Sequence, residues 1–257
     1  MTFMDWLTSL SGFVVGVIVG LTGVGGGSLM TPLLVLGFGV APATAVGTDL
    51  LYAAITKAGG VYVHDRQNTI DYRIAARLAA GSLPLAIVTT IALHVIAPAP
   101  GALTSLIKIT LGGALLLTAA AILFKSRLVA LSPCAGWSPR KVSAATVAAG
   151  AVLGVLVTIS SVGAGALGVA ALIFLYPQRT TVQIVGTDIA HAVPLTLIAG
   201  LGHASLGTVD LTLLAALLIG SIPGVMLGSA LSQKLPERIL RPCLAAILLL
   251  VGAKLVS

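Results

Sequence analysis

The chain is written twice. "AVGTDL", ending at Leu50, returns as "IVGTDI", ending at Ile189, 139 residues later. The same displacement carries His64 onto His203, Thr69 onto Thr208, Asp71 onto Asp210, and "GSLP" (81–84) onto "GSIP" (220–223). At a displacement of 138, "GVGGG" (23–27) falls on "SVGAG" (161–165), so a one-residue indel separates the marks. Polar marks kept in order across a whole half mean that one unit was duplicated, and the fold must be assembled from two copies of it.

The solvent of that unit follows from its composition. Hydrophobic residues make up 58% of the chain and charged residues 8%, where a soluble domain of this size carries about 25% charge. Too few charges remain to cover a water-facing surface. The apolar segments have helical length and lack the ten-residue alternation of a barrel strand, which predicts an all-α integral membrane protein. The net charge of +7 is spread over short loops, where it reads as a topology signal and not as a nucleic-acid surface. The N-terminus "MTFMDWLTSL" has no Lys or Arg and is the wrong start for a cleaved signal peptide. Cys134 and Cys243 have no metal-ligand spacing and are expected to be free thiols. No cofactor or metal is expected.

Two repeats follow, with a linker between them. Repeat 1 (1–125) holds an interrupted segment at 6–37 and full-length segments at 43–62, 74–97 and 103–124. Residues 126–141 form the linker. Repeat 2 (142–257) holds an interrupted segment at 142–176 and full-length segments at 180–202, 211–231 and 238–256. After each break the apolar piece has only 10 or 11 residues, "SLMTPLLVLG" and "ALGVAALIFLY". A bilayer crossing takes about 20 residues.

Lys and Arg decide between two topologies. If all eight segments cross, the loop cations divide 8 against 4. If each interrupted segment returns to the side it entered from, Arg66, Arg73, Arg77, Lys125, Arg127, Arg140, Lys141, Arg179, Lys234, Arg238 and Arg241 share one side. Lys254 alone lies opposite, a split of 11 to 1. Cytoplasmic loops carry such an excess. The predicted architecture is therefore two inverted repeats, each a re-entrant helical hairpin plus three transmembrane helices. The linker is cytoplasmic and both termini are outside. Glycines are poor helix formers, and the Gly25–Gly27 triplet and the "SVGAG" of the second half stand here as hairpin tips near the bilayer midplane. Broken helices at that depth, in inverted repeats, mark a secondary transporter.

Each break opens a half-helix, at Ser28 and near Ala166, whose first amide N–H groups lack an intrahelical partner and carry the positive end of the helix dipole. Glycine lets an anion reach the backbone, and Thr22, Thr31 and Ser160 add hydroxyls. The predicted anion-binding residues are Gly25, Gly26, Gly27, Ser28 and Thr48 in the first half, and Ser161, Gly163, Gly165 and Thr187 in the second. The competing reading is that the glycines only permit close helix packing.

These residues carry a resemblance. "GLTGVGGGSLMTPLLVLG" followed by "AVGTDL", with the degenerate "SSVGAGALG" and "IVGTDI" in the second half, resembles the TauE/SafE sulfite exporter family over essentially the whole chain. The resemblance implies a bacterial inner-membrane permease for a small sulfur-containing anion such as sulfite, sulfoacetate or thiosulfate. It also implies the bilayer as surroundings and no nucleic-acid partner. In both copies Asp follows Gly-Thr, where many members carry Ser or Asn.

Asp49 and Asp188 lie about two turns inside their helices. A buried charge there is costly and functional by default. Each either caps the neighbouring hairpin tip or carries a coupling proton, and His191, three residues after Asp188, shares its face. Lys57 is expected to snorkel to water, or to serve as a counter-ion. His64 and His203 are expected to be loop or capping residues. The "GSxP" marks are expected to supply polar groups near the site or only a kink. Rival functions are a passive anion channel, a permease for another small organic anion and, more remotely, an intramembrane aspartyl enzyme. The order Gly-Thr-Asp is not that of such proteases. No nucleophile-elbow, zinc-protease or P-loop pattern is present, and the chain is not expected to be an enzyme.

Overall fold

A computed structural model describes residues 3–22, 27–96, 101–124, 136–231 and 237–256. Among these residues all regular structure is helical. The first half contains α1 (Phe3–Thr22), α2 (Gly27–Gly37), α3 (Pro42–Arg66), α4 (Tyr72–Ile96) and α5 (Ala102–Leu123). The second contains α6 (Pro139–Ser160), α7 (Ala166–Leu175), α8 (Thr181–Ser205), α9 (Leu211–Leu231) and α10 (Glu237–Val256). α4, α5, α6 and α8 are long and apolar enough to cross a membrane. Their outward faces carry large apolar side chains, among them Val95, Ile109 and Leu197. An apolar surface of that extent suits lipid and not water.

Helix starts follow local chemistry. Pro42 and Pro139 open α3 and α6, where a missing N–H costs nothing. The Ser138 hydroxyl accepts from the Lys141 N–H. Thr180 and Gln183 form a reciprocal capping box at α8. The Asp71 carboxylate accepts from the amides of Arg73 and Ile74, and Asp210 from those of Thr212 and Leu213. The "TxD" marks are thus helix caps in both halves.

The most extensive contacts join one half to the other. α1 packs along α9, and α4 along α6, two pairs that the 138–139-residue displacement exchanges. Both use a glycine face. A methyl added at Gly12 would lie 2.6 Å from the Leu217 carbonyl oxygen, and one at Gly16 the same distance from that of Ser221. A methyl at Gly150 or Gly154 would come closer still to the carbonyl oxygens of Leu78 and Ser82. Rising numbers on one helix meet rising numbers on the other, so each pair runs parallel. In membranes, where lipid is as apolar as Leu, such small-residue contacts are a main source of packing energy.

α3 and α8 form the centre. Gly47 meets His203, Gly200 meets Leu51, Gly60 meets Ile189 and Gly186 meets His64, so these two helices run antiparallel. At each end of the pair a loop of one half docks on the other. The Asp71 amide donates to Thr187 Oγ1 (2.9 Å) and the Asp210 amide to Thr48 Oγ1 (3.1 Å). His64 and His203 brace those loops through Thr69 and Thr208, at 2.8 and 2.9 Å. Two contacts bear on the second interrupted segment. Thr146, early in α6, shares a hydrogen bond of 2.8 Å with Tyr176, just after α7. Arg179 beyond α7 pairs with Asp71 at 2.7 Å.

The two arms of each interrupted segment differ in length. α1 and α6 have 20 and 22 residues, α2 and α7 only 11 and 10. Thus the first arm is longer than a half-span, and only the return arm is short.

Candidate functional site

The second break lies against the middle of α3. Helix α6 ends at Ser160. Ser161 turns in the left-handed region (φ 58°), Gly163 and Gly165 have φ of 123° and 133°, and α7 begins at Ala166. Residues with a Cβ rarely adopt the Gly163 and Gly165 conformations, which is the local reason for glycine at both. The Gly168 amide donates back to the Gly163 carbonyl and the Val169 amide to that of Gly165, at 3.1 and 2.8 Å. The result is a tight, buried, non-helical segment at the start of a half-helix. The corresponding first-half residues Gly25 and Gly26 lie outside the described residues. Gly27 opens α2 and Ser28 follows it; the side chains of Ser28, Thr22 and Cys243 lie outside the described ones, as does all of Cys134.

Two side chains of α3 hold this break from either side of the helix middle. Ser161 Oγ donates to Asp49 Oδ2 at 3.0 Å, and Thr31 Oγ1 of α2 donates to the same oxygen. Asp49 is fully buried and ties the second break to α2: one donor comes from each half. Lys57, two turns further along, donates from Nζ to the Ala164 carbonyl at 2.6 Å. It is 7% exposed, so it does not snorkel to water.

Asp188 occupies the position equivalent to Asp49 and has none of its partners. It is 1% exposed, and neither carboxylate oxygen has a hydrogen-bond partner. The sequence supplies the reason. Displaced by 138, Thr31 becomes Val169, and Ser161 corresponds to Gly23. Both side-chain donors are missing. A methyl at Gly168 would overlap Asp188 Oδ1, so the carboxylate lies directly on α7.

His191, one turn beyond Asp188, shares a 2.8 Å hydrogen bond between Nε2 and Ser82 Oγ. Its Nδ1 is buried without a partner. The equivalent pair in the other half is Tyr52 and Ser221, neighbours whose contact falls short of strict hydrogen-bond geometry. Here the "GSxP" marks acquire a function: the serine faces the residue three positions after the other half's "GTD", and its neighbouring glycine admits the parallel helix. The "GTD" mark is divided among three tasks. Its glycine admits the docking loop, its threonine accepts the loop amide and its aspartate faces the breaks. Thr48 and Thr187 thus each have one oxygen lone pair engaged by the loop amide, with the hydroxyl hydrogen still to donate.

An all-helical membrane protein with a buried break, a half-helix N-terminus and opposed ionisable groups at the centre belongs to the class of membrane transporters. The family described as "Sulfite exporter TauE/SafE" matches residues 8–255, and the chain belongs to it. A protein of Bacillus subtilis (strain 168) named "Probable membrane transporter protein YjnA" is 43% identical over 250 residues, covering 96% of this chain and 98% of that protein. "Probable membrane transporter protein YdhB" of the same organism is 28% identical over 251 residues, covering 93% and 97%. No solved structure matches.

Proposed function

We propose that the protein is a secondary transporter for a small sulfur-containing anion, such as sulfite or an organosulfonate. The anion binds between the tips of two re-entrant hairpins in inverted repeats. The observation that carries this reading is the second break. Ser161, Gly163 and Gly165 present left-handed, closely approachable backbone at the N-terminus of α7, beside the buried ammonium of Lys57. Half-helix N-termini and glycine backbone attract anions without a central Arg. Gly25, Gly26, Gly27 and Ser28 complete the cradle from the first half. Thr48 and Thr187 each offer a hydroxyl hydrogen from the flanking "GTD".

Three contacts support the hairpin topology. The Thr146–Tyr176 bond and the Arg179–Asp71 pair bring the end of the second interrupted segment back to the level where it began. The antiparallel meeting of α3 with its own repeat equivalent α8 fits a two-fold axis lying in the membrane plane, the signature of inverted repeats. The family name and the 11 to 1 distribution of loop cations favour a multi-pass protein of the bacterial inner membrane with both termini outside. A passive anion channel would use the same cradle; accumulation against a gradient separates the two.

The test is thermal unfolding of the purified protein with sulfite, sulfate, thiosulfate, sulfoacetate and acetate, beside Gly165→Leu. A concentration-dependent stabilisation by at least one sulfur anion, absent for acetate and lost in G165L, is the expected result. Equal stabilisation of G165L, or stabilisation by acetate alone, contradicts the reading.

A further inference from the structure

The two repeats differ most at their aspartates, and the difference has a chemical direction. Asp49 has two hydroxyl donors; Asp188 has none. Duplication first makes both halves alike, so the second site has either lost a donor pair or never acquired one. A structural cap stripped of its donors is a liability: a carboxylate in an apolar interior with no partner carries the full desolvation cost of its charge. The relief open to it is to take up a proton or a cation. Sodium requires several oxygen ligands, and the positions that would flank it carry Val169 and glycine. A cation stands at the same break: Lys57 Nζ binds the Ala164 carbonyl, four residues before the Gly168 that Asp188 lies against. That combination suits a proton.

We propose that Asp188 is the proton-carrying residue of the transport cycle, and that it and the substrate anion compete for Lys57. This rests on the anion-transport reading above. As the neutral acid, Asp188 leaves the ammonium free to face an anion at the break. As the carboxylate, it draws the same charge to itself and weakens the anion's hold. Anion and proton are then bound together and released together. An ammonium has three hydrogens, and the Ala164 carbonyl takes one, so Lys57 stays anchored to the cradle while it serves either partner.

The groups around Asp188 are few. α3 contributes Lys57 and, beyond it, Asp49. α8 itself contributes His191, whose open Nδ1 lies one turn away and whose Nε2 continues to Ser82 of α4. α7 contributes no titratable side chain, and α6 only Arg140 and Lys141 at its far start. His191 and Ser82 therefore form the polar path by which a proton reaches Asp188. Lys57 and His191 have no counterpart in the other half, where Thr196 and Tyr52 stand. The coupling device is thus built once, from Lys57 and Ser82 of the first repeat and Asp188 and His191 of the second, with no symmetric twin.

Infrared difference spectroscopy of the full-length detergent-purified protein tests this without relying on transport. A carboxylic-acid band that titrates with pH is expected in wild type and in Asp49→Asn and is lost in Asp188→Asn. In Val169→Thr, which restores the hydroxyl donor of the first half, the same band moves in frequency; this variant keeps the charge pattern if D188N misfolds. Thiosulfate, whose own charge is constant over the range, is then added with a pH-indicator dye. Proton uptake on binding is expected in wild type and abolished in D188N. A wild-type spectrum without an Asp188 acid band at any pH overturns the proposal, as does thiosulfate binding without proton uptake. An Asp188 band that titrates while thiosulfate, sulfite and sulfoacetate all fail to bind overturns the anion reading and leaves the protonation site in place.

Discussion

At the scale of single residues, Asp49 and Asp188 show how equivalent positions acquire different chemistry. Two hydroxyls fix Asp49 to α2 and to the second break, so it acts as a tie between the halves. Removing one donor from a buried charged acceptor costs about 1–3 kcal/mol. Thr31→Val should therefore lower stability by about that amount in denaturation of the purified protein, while Val169→Thr, made at the equivalent site, should not. Equal stability of T31V and wild type would mean that the Thr31 bond contributes nothing. Lys57 shows the limit of reading residues singly. Its place in the third quarter of an apolar segment suggested snorkelling, yet the carbonyl that receives it belongs to Ala164, 107 positions away. No local pattern announces such a partner.

Among the elements, helix positions were legible because apolar length, glycine breaks and proline starts are local signals; α9, for instance, covers the segment read as 211–231. What stayed hidden was which helix meets which. The glycine pairs Gly12/Gly16 and Gly150/Gly154 are a recognisable four-residue spacing on the first arms, and their partners α9 and α4 come from the opposite half. A leucine at Gly150 would drive directly into the Leu78 carbonyl. Gly150→Leu should cost several kcal/mol, about 3 or more, and remove most of the monodisperse protein from size-exclusion profiles. Gly113→Ala, where a methyl meets nothing within 4 Å, should instead be neutral or stabilising by up to about 1 kcal/mol. Similar profiles for the two variants would refute the packing role of the glycine face.

For the whole molecule, the duplication was the most informative thing in the sequence. It placed the "GTD", "HxxxxTxD" and "GSxP" marks in equivalent registers before any contact was known. The structure then assigns most of these marks to joining the halves: loops docked on threonines, serines facing His191 and Tyr52, glycines admitting parallel helices. In the proposed account the breaks, Lys57, Asp188 with His191 and Ser82, and the hydroxyl hydrogens of Thr48 and Thr187 serve transport, while the His64 and His203 braces and the Asp71 and Asp210 caps only join the halves. That division makes the central claim sharp, since substrate movement should depend on the break and Lys57 and not on the bracing histidines or the Asp71 and Asp210 caps. The direct measurement is counterflow of radiolabelled sulfite or thiosulfate into proteoliposomes holding wild type, Lys57→Gln or Gly165→Leu, each at equal reconstituted amount. The account predicts rapid counterflow by wild type and at least a tenfold loss, a barrier rise of about 1.4 kcal/mol or more, in both variants. Wild-type rates in K57Q and G165L, or counterflow no faster than empty liposomes in wild type, would contradict it.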